Sequence, residues 1–231
     1  MTRAALAFAV AALASAAARA APRPIVLDPG HGGKDLGAVR KGEREKDIAL
    51  SITRKIKQRL EAAGVPVRMT RDSDVYVPLD QRIQESLDWG GSLFVSLHVN
   101  QERSRKAAGI DVYAFGKTGR HRSHRRHRLP VLPAPPRAAR EASAELAGEL
   151  VRSLRARGLR VDAPDKAGFY VLKNPAIPSV LIELGFLSNP NEAARLEESA
   201  YQDQLADAIA ASLRQHLGSL GAAPATISAK P

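Results

Sequence analysis

Four residues of this 231-residue chain carry metal-binding or proton-transferring side chains where the surrounding pattern calls for something else. His31 stands between glycines in Ile25-Val-Leu-Asp-Pro-Gly-His-Gly-Gly33. Glu45 opens a helix-like stretch, His98 closes the run Leu93-Phe-Val-Ser-Leu-His98, and Glu183 interrupts Val180-Leu-Ile-Glu-Leu184. The apolar run before His31 stops at Asp28-Pro29-Gly30, a strong turn signal. Flanking glycines let the backbone reach φ > 0 and come close to a ligand. Such a turn suits an imidazole that holds a metal; it equally suits a solvated surface histidine. Glu45 alone reads as a first-turn acid answering the helix dipole, and His98 alone as a core histidine with its hydrogen bonds satisfied. Glu183 is harder to place so simply. A carboxylate in an apolar strand must be paired, bound to metal or shifted in pKa, and no basic residue lies near it in sequence.

These four residues need a scaffold that brings them together. Six strand-like segments fall at 25–28, 66–70, 93–98, 110–115, 169–172 and 179–184. Ile48, Ile52, Ile56 and Leu60 recur four apart in a helix over 45–63. Further helices are predicted over 79–89, 138–157 and 201–217, with another opening at Asn189-Pro190. Strands alternating with helices predict a single α/β domain: a mostly parallel central sheet of about six strands with helices on both faces. The continuous apolar runs at 93–95 and 180–182 suit central strands covered on both sides. In an open α/β sheet, ligands sit beyond the carboxyl ends of the strands. His31, His98 and Glu183 all lie at or near such ends, and a crossover helix begins at that same edge, where Glu45 would be.

The first twenty residues read as a signal peptide. Met1-Thr2-Arg3 is a basic n-region, Ala4 to Ala17 an apolar core, and Ala18-Arg19-Ala20 a small-x-small cleavage site. The expected destination is export, to the periplasm or cell envelope. There is no cysteine, so any metal must be held by His, Asp and Glu. The formal charge is +11, which favours anionic partners; export argues against nucleic acid. Lys117 to Arg128 holds six Lys/Arg and three His, inside a Pro-rich stretch over 118–136 that reads as a mobile surface loop. It is suited to an anionic wall polymer or lipid headgroups. Residues 218–231 read as a disordered tail.

The chain resembles the zinc-dependent N-acetylmuramoyl-L-alanine amidases that cleave bacterial peptidoglycan. The resemblance rests on Leu27-Asp-Pro-Gly-His-Gly-Gly-Lys-Asp-Leu-Gly-Ala38, Glu45-Lys-Asp47, Thr70-Arg-Asp72 through Arg82, Phe94-Val-Ser-Leu-His-Val-Asn100 and Pro178-Ser-Val-Leu-Ile-Glu-Leu-Gly-Phe-Leu-Ser-Asn189. These segments cover residues 25 to 217 in the family's order, and the catalytic domain is expected over 21–217. The resemblance implies that His31, Glu45 and His98 are Zn2+ ligands and Glu183 the catalytic glutamate, with peptidoglycan as substrate. Asp28 would then orient an imidazole, or else cap its own turn. The chain departs from the family pattern at Val99, around Ser86-Leu87, and at loop 118–136, where some exported members carry an inhibitory helix. Its proline content does not suit a helix, so the need for an activator stays open. Two other readings remain at this point: a non-catalytic peptidoglycan-binding protein, and a zinc peptidase acting within the stem peptide. The absence of HExxH removes one large class of the latter.

Overall fold

The computed structural model describes residues 22–116 and 130–222. The expected signal peptide, the basic segment 117–129 and the tail beyond residue 222 lie outside the described residues. In chain order the elements are β1 (Ile25–Pro29), β2 (Val39–Arg40), β3 (Glu43–Arg44), α1 (Glu45–Ala62), β4 (Val67–Met69), α2 (Leu79–Asp88), β5 (Leu93–Asn100), β6 (Asp111–Phe115), α3 (Arg137–Ala156), β7 (Asp165–Ala167), a 3-10 turn (Tyr170–Leu172), β8 (Ser179–Phe186), α4 (Pro190–Glu197) and α5 (Ser199–Ala222).

Six strands form one sheet in the order β4-β1-β5-β8-β6-β7. β4, β1, β5 and β8 run parallel; β6 runs antiparallel to β8, and β7 follows β6 in parallel. This is the expected mostly parallel α/β sheet. Strand side chains alternate between faces, and the alternation divides the core in two. Ile25, Leu27, Val95, Leu97, Val180, Ile182 and Leu184 point into one layer with Ile52 and Ile56 of α1, Leu146 and Leu150 of α3, and Leu205 and Ile209 of α5. Each such fully buried side chain contributes ~1.5–3 kcal/mol, so this thick layer carries most of the apolar burial. The opposite phase puts Val26, Phe94, Leu181 and Tyr113 against Val171 and Leu172 of the 3-10 turn, with Leu79 and Leu87 of α2 packed alongside. Asp28, Ser96, His98 and Glu183 share that second phase. The polar residues therefore lie on the thinner face.

Between β1 and α1 the chain makes a hairpin of two-residue strands, with Val39 opposite Arg44 and Arg40 opposite Glu43. Lys41 and Gly42 both take positive φ, 49° and 93°, which a two-residue hairpin loop requires. The hairpin delivers Glu45 directly as the first residue of α1.

Two boundaries differ from expectation. Residues 169–172 form the 3-10 turn, and the sixth strand is the short, polar β7 before it. Val171 and Leu172 are buried by packing on the thin face, not by sheet pairing, and an apolar run alone does not distinguish the two. Helix α5 continues to Ala222, so residues 218–222 belong to it and not to a tail starting at Gly218. Glycine lowers helix propensity by about 1 kcal/mol without forbidding a last turn, and the preceding turns are anchored by buried Leu213. No helix among the described residues is long and apolar enough to cross a membrane.

Candidate metal centre

The site starts from the turn that ends β1. Asp28 is fully buried and accepts hydrogen bonds from Thr70 Oγ1 at 2.6 Å, Arg82 Nη1 at 2.6 Å and Ser96 Oγ at 2.7 Å. It therefore neither orients an imidazole nor caps its turn, the two roles expected of it. Its work is to neutralise Arg82. Burial alone would raise its carboxyl; the Arg82 charge and the three hydrogen bonds outweigh this and hold it below the usual carboxylate range.

Arg82 and Arg71 then fasten the turn. Arg71 donates to the carbonyls of Pro29 at 2.9 Å, Gly30 at 2.7 Å and Lys46 at 2.9 Å. Arg82 donates to Pro29 O at 2.9 Å and His31 O at 2.7 Å. Three successive carbonyls are thus held by two buried guanidiniums. His31 itself sits at φ 59°, a left-handed conformation uncommon outside glycine. The Arg82 bond to its carbonyl fixes that conformation and aims the ring. The sequence pattern points to no role for either arginine; most of their targets are backbone oxygens, and those in the His31 turn lie 41 to 53 residues away.

The three expected ligands converge. Glu45 Oε1 lies 3.0 Å from His31 Nε2 and 2.8 Å from His98 Nδ1, and it accepts the Val99 N–H at 3.0 Å. Glu45 Oε2 accepts the Ala38 N–H at 2.8 Å. The two imidazoles meet edge to face, with ring centroids 4.9 Å apart. One donor atom from each of the three residues falls within 4.8 Å of the others. His31 Nδ1, on the far side of the ring, faces Asp35 Oδ2 at 3.0 Å. Two glycines make room for the cluster. A Cβ on Gly30 would lie 2.6 Å from both ring nitrogens of His98, and one on Gly37 would lie 2.7 Å from His31 Cδ2.

Burial pushes the Glu45 carboxyl up, but bonds and charges from His31 and His98 outweigh it and drive it far below the usual range. Burial likewise lowers the His31 imidazole, and Asp35 and Glu45 reverse this to raise it to about 9. Two imidazole nitrogens and a carboxylate oxygen aimed at one point are the donor set of a divalent metal with an open coordination position.

Glu183 stands beside the cluster. It is the register partner of His98 on β5 and of Asp111 on β6. It is buried, and its Oε2 has no hydrogen-bond partner among the described residues. Burial first, then the charges of Glu45 and Asp111, push its carboxyl well above the usual range, with His31 opposing. Asp111 also accepts from Tyr113 Oη at 3.3 Å. An orphaned carboxyl oxygen next to a three-donor cluster fits a centre whose remaining partners are a cation, water and substrate.

Comparison with known proteins agrees with this geometry. Residues 25–215 match the family described as N-acetylmuramoyl-L-alanine amidase. The N-acetylmuramoyl-L-alanine amidase AmiA of Escherichia coli K12 is 31% identical over 213 residues, covering 81% of this chain and 74% of that protein. The crystal structure of an N-acetylmuramoyl-L-alanine amidase from Clostridium difficile 630 superposes with a TM-score of 0.73 at 28% identity, covering 86% of this chain and 98% of the other. The CwlD amidase from Clostridioides difficile, solved in complex with the GerS lipoprotein, gives a TM-score of 0.62 at 30% identity, covering 85% of this chain and 99% of the other. The sheet, the converging donors and these likenesses together establish that the chain belongs to the N-acetylmuramoyl-L-alanine amidase family and is an enzyme of that family.

Proposed function

We propose that the chain is an exported zinc hydrolase that cleaves the amide between the lactyl group of N-acetylmuramic acid and L-alanine in peptidoglycan. The observation that carries this reading is the convergence of His31, Glu45 and His98 on one point, with buried Glu183 in register beside them. A zinc ion held by those three side chains supplies Lewis acidity, lowering the pKa of water and polarising the scissile carbonyl. His31 and His98 provide nitrogen donors, and Glu45 provides the oxygen donor that offsets part of the cation's charge. Glu183 takes a proton from the attacking water and passes it to the leaving amine nitrogen. Its raised proton affinity, set by burial and by two neighbouring carboxylates, suits a group that must hold a proton between those two events. Asp28, Arg71 and Arg82 keep the His31 turn in place throughout.

Peptidoglycan as substrate follows from the family. A place in the periplasm or cell envelope is supported by the leader-like first twenty residues. A protein partner fits the same reading, since CwlD was solved in complex with the GerS lipoprotein.

The test is digestion of labelled peptidoglycan by purified protein, with zinc and with chelator. Release of intact stem peptides from glycan, dependent on zinc, is expected. Shortened stem peptides would identify a peptidase instead. Binding without release in the zinc-loaded sample would identify a wall-binding protein.

A further inference from the structure

We propose that Asp35 is a positioning residue of the metal centre, accepting the Nδ1–H of His31 and thereby committing Nε2 to the cation. The inference rests on the zinc reading above and names a residue outside the ligand set. A neutral imidazole carries a single N–H, and the nitrogen that gives its lone pair to a metal cannot carry it. On His31 the nitrogen aimed at the cluster is Nε2, 3.0 Å from Glu45 Oε1. The proton then belongs on Nδ1, and Asp35 Oδ2 lies 3.0 Å from that nitrogen, within ion-pair distance though the N–H is not aimed along a hydrogen bond in this structure.

The backbone delivers that carboxylate. Gly32 N donates to Asp35 O at 2.9 Å and Asp35 N donates to Gly32 O at 3.1 Å, so the chain folds back on itself within four residues of the histidine. Arg82 grips the His31 carbonyl from the other side at 2.7 Å. Ring and carboxylate are therefore brought close together by separate backbone contacts. His98 has no such carboxylate on its second ring nitrogen among the described residues; its ring rests against Gly30 instead. The two histidines thus differ. His31 has a carboxylate beside its second ring nitrogen, and His98 is held by steric fit.

The alternative role for Asp35 is that of a partly buried turn residue. Its side chain is about 20% exposed, and an ion pair that still reaches solvent contributes little, ~0–1 kcal/mol at the surface. Its Oδ1 also accepts the Gly37 N–H, a long contact at 3.4 Å. A turn role would touch stability slightly and leave metal affinity alone. A positioning role does the reverse, since removing the partner behind a ligating histidine costs about 10–100-fold in metal affinity.

The experiment uses Asp35→Ala and Asp35→Asn in the otherwise native chain. Zinc affinity is measured by chelator competition, folding by metal-free thermal unfolding, and the His31 tautomer by long-range 15N NMR of the zinc-loaded protein. Asp35→Ala is expected to lose about 10–100-fold in zinc affinity, with metal-free unfolding little changed. Asp35→Asn, whose amide oxygen still accepts the N–H, is expected to lose less. The parent spectrum should show Nδ1 protonated and Nε2 bound. Affinity in Asp35→Ala within about threefold of the parent overturns the proposal, as does a parent spectrum with His31 bound through Nδ1. If Asp35→Ala fails to fold, Asp35→Asn carries the test, and parity with the parent in affinity and spectrum then overturns it. A parent chain that binds no divalent metal removes the zinc reading itself, and this proposal with it.

Discussion

His98 and Glu183 face each other across neighbouring parallel strands, as register partners on β5 and β8. Adjacent strands lie about 4.8 Å apart, so the two backbones are one strand spacing apart and their side chains share one face. That separation suits a group that exchanges protons at the centre without joining it. The register breaks immediately afterwards, between His98 and Asn100, so the pairing is a local arrangement at the carboxyl end of β5.

Glu183→Gln should keep the fold and the metal and lose turnover by a factor on the order of 10² or more, as expected for a lost acid–base group. Metal content and peptidoglycan hydrolysis are measured on the same preparation. Near-normal turnover would reduce Glu183 to a buried structural carboxyl. Loss of zinc would make it a ligand.

His31→Ala and His98→Ala should each abolish zinc retention and activity together. The parent should hold about one zinc per chain, because three donors define one site. Elemental analysis after dialysis gives the stoichiometry. A chelated, metal-free sample that hydrolyses peptidoglycan at the full rate would sink the assignment.

Arg82→Met leaves Asp28 buried without its counter-charge and should destabilise the chain by about 3–5 kcal/mol. The pH dependence of Asp28→Asn tests the same pair from the other side. The folded-state pKa of Asp28 lies below its ordinary 3.8. Its charge therefore stabilises the fold fully above the unfolded value, and the stabilisation is lost as pH falls through the folded one. The stability gap between parent and Asp28→Asn should be widest at neutral pH and close in acid. Urea unfolding across a pH series measures it; a gap that does not vary with pH would show that the Asp28 charge is not what matters.

Gly30→Ala should damage the centre more than the fold. The added Cβ would press on both ring nitrogens of His98, and overpacking of this kind costs ~1–3 kcal/mol. Zinc affinity should fall while thermal unfolding shifts by only a few degrees. Unchanged affinity would mean that the His98 ring can move aside and still ligate.

Replacing the arginines of 117–128 by serine should weaken sedimentation with sacculi at low salt and leave hydrolysis of a small muropeptide nearly unchanged. Exposed charges act mainly over a Debye length of ~8 Å at physiological salt and so govern encounter more than geometry. A collapse or a sharp rise in small-substrate activity would place this segment at the active site.

Much of this was legible in the chain because strand periodicity and motif spacing are local signals. The runs at 25–28, 93–98 and 179–184 became β1, β5 and β8, and the fourfold spacing of Ile48, Ile52, Ile56 and Leu60 became the buried face of α1. The run at 169–172 misled because burial by packing and burial by pairing use the same residue types. β7 escaped notice because an edge strand of Asp-Lys-Ala carries no apolar signal. Arg71 and Arg82 were invisible as parts of the site because most of their partners are backbone carbonyls, which have no sequence signature. Asp28 was noticed but misassigned; its true partner, Arg82, is 54 residues away.

The division of the sheet into two faces has a consequence for how the enzyme is made. Neighbours on β8 alternate, with Ile182 and Leu184 in the thick apolar layer and Glu183 on the face that carries His98. A strand that paired one residue out of step would exchange every side chain between faces. It would push the Glu183 carboxyl among leucines and isoleucines and set Ile182 beside His98. The alternation thus acts as a proofreading device during folding. A chain misthreaded at β8 would bury a carboxyl in the apolar layer and so could not hold its fold.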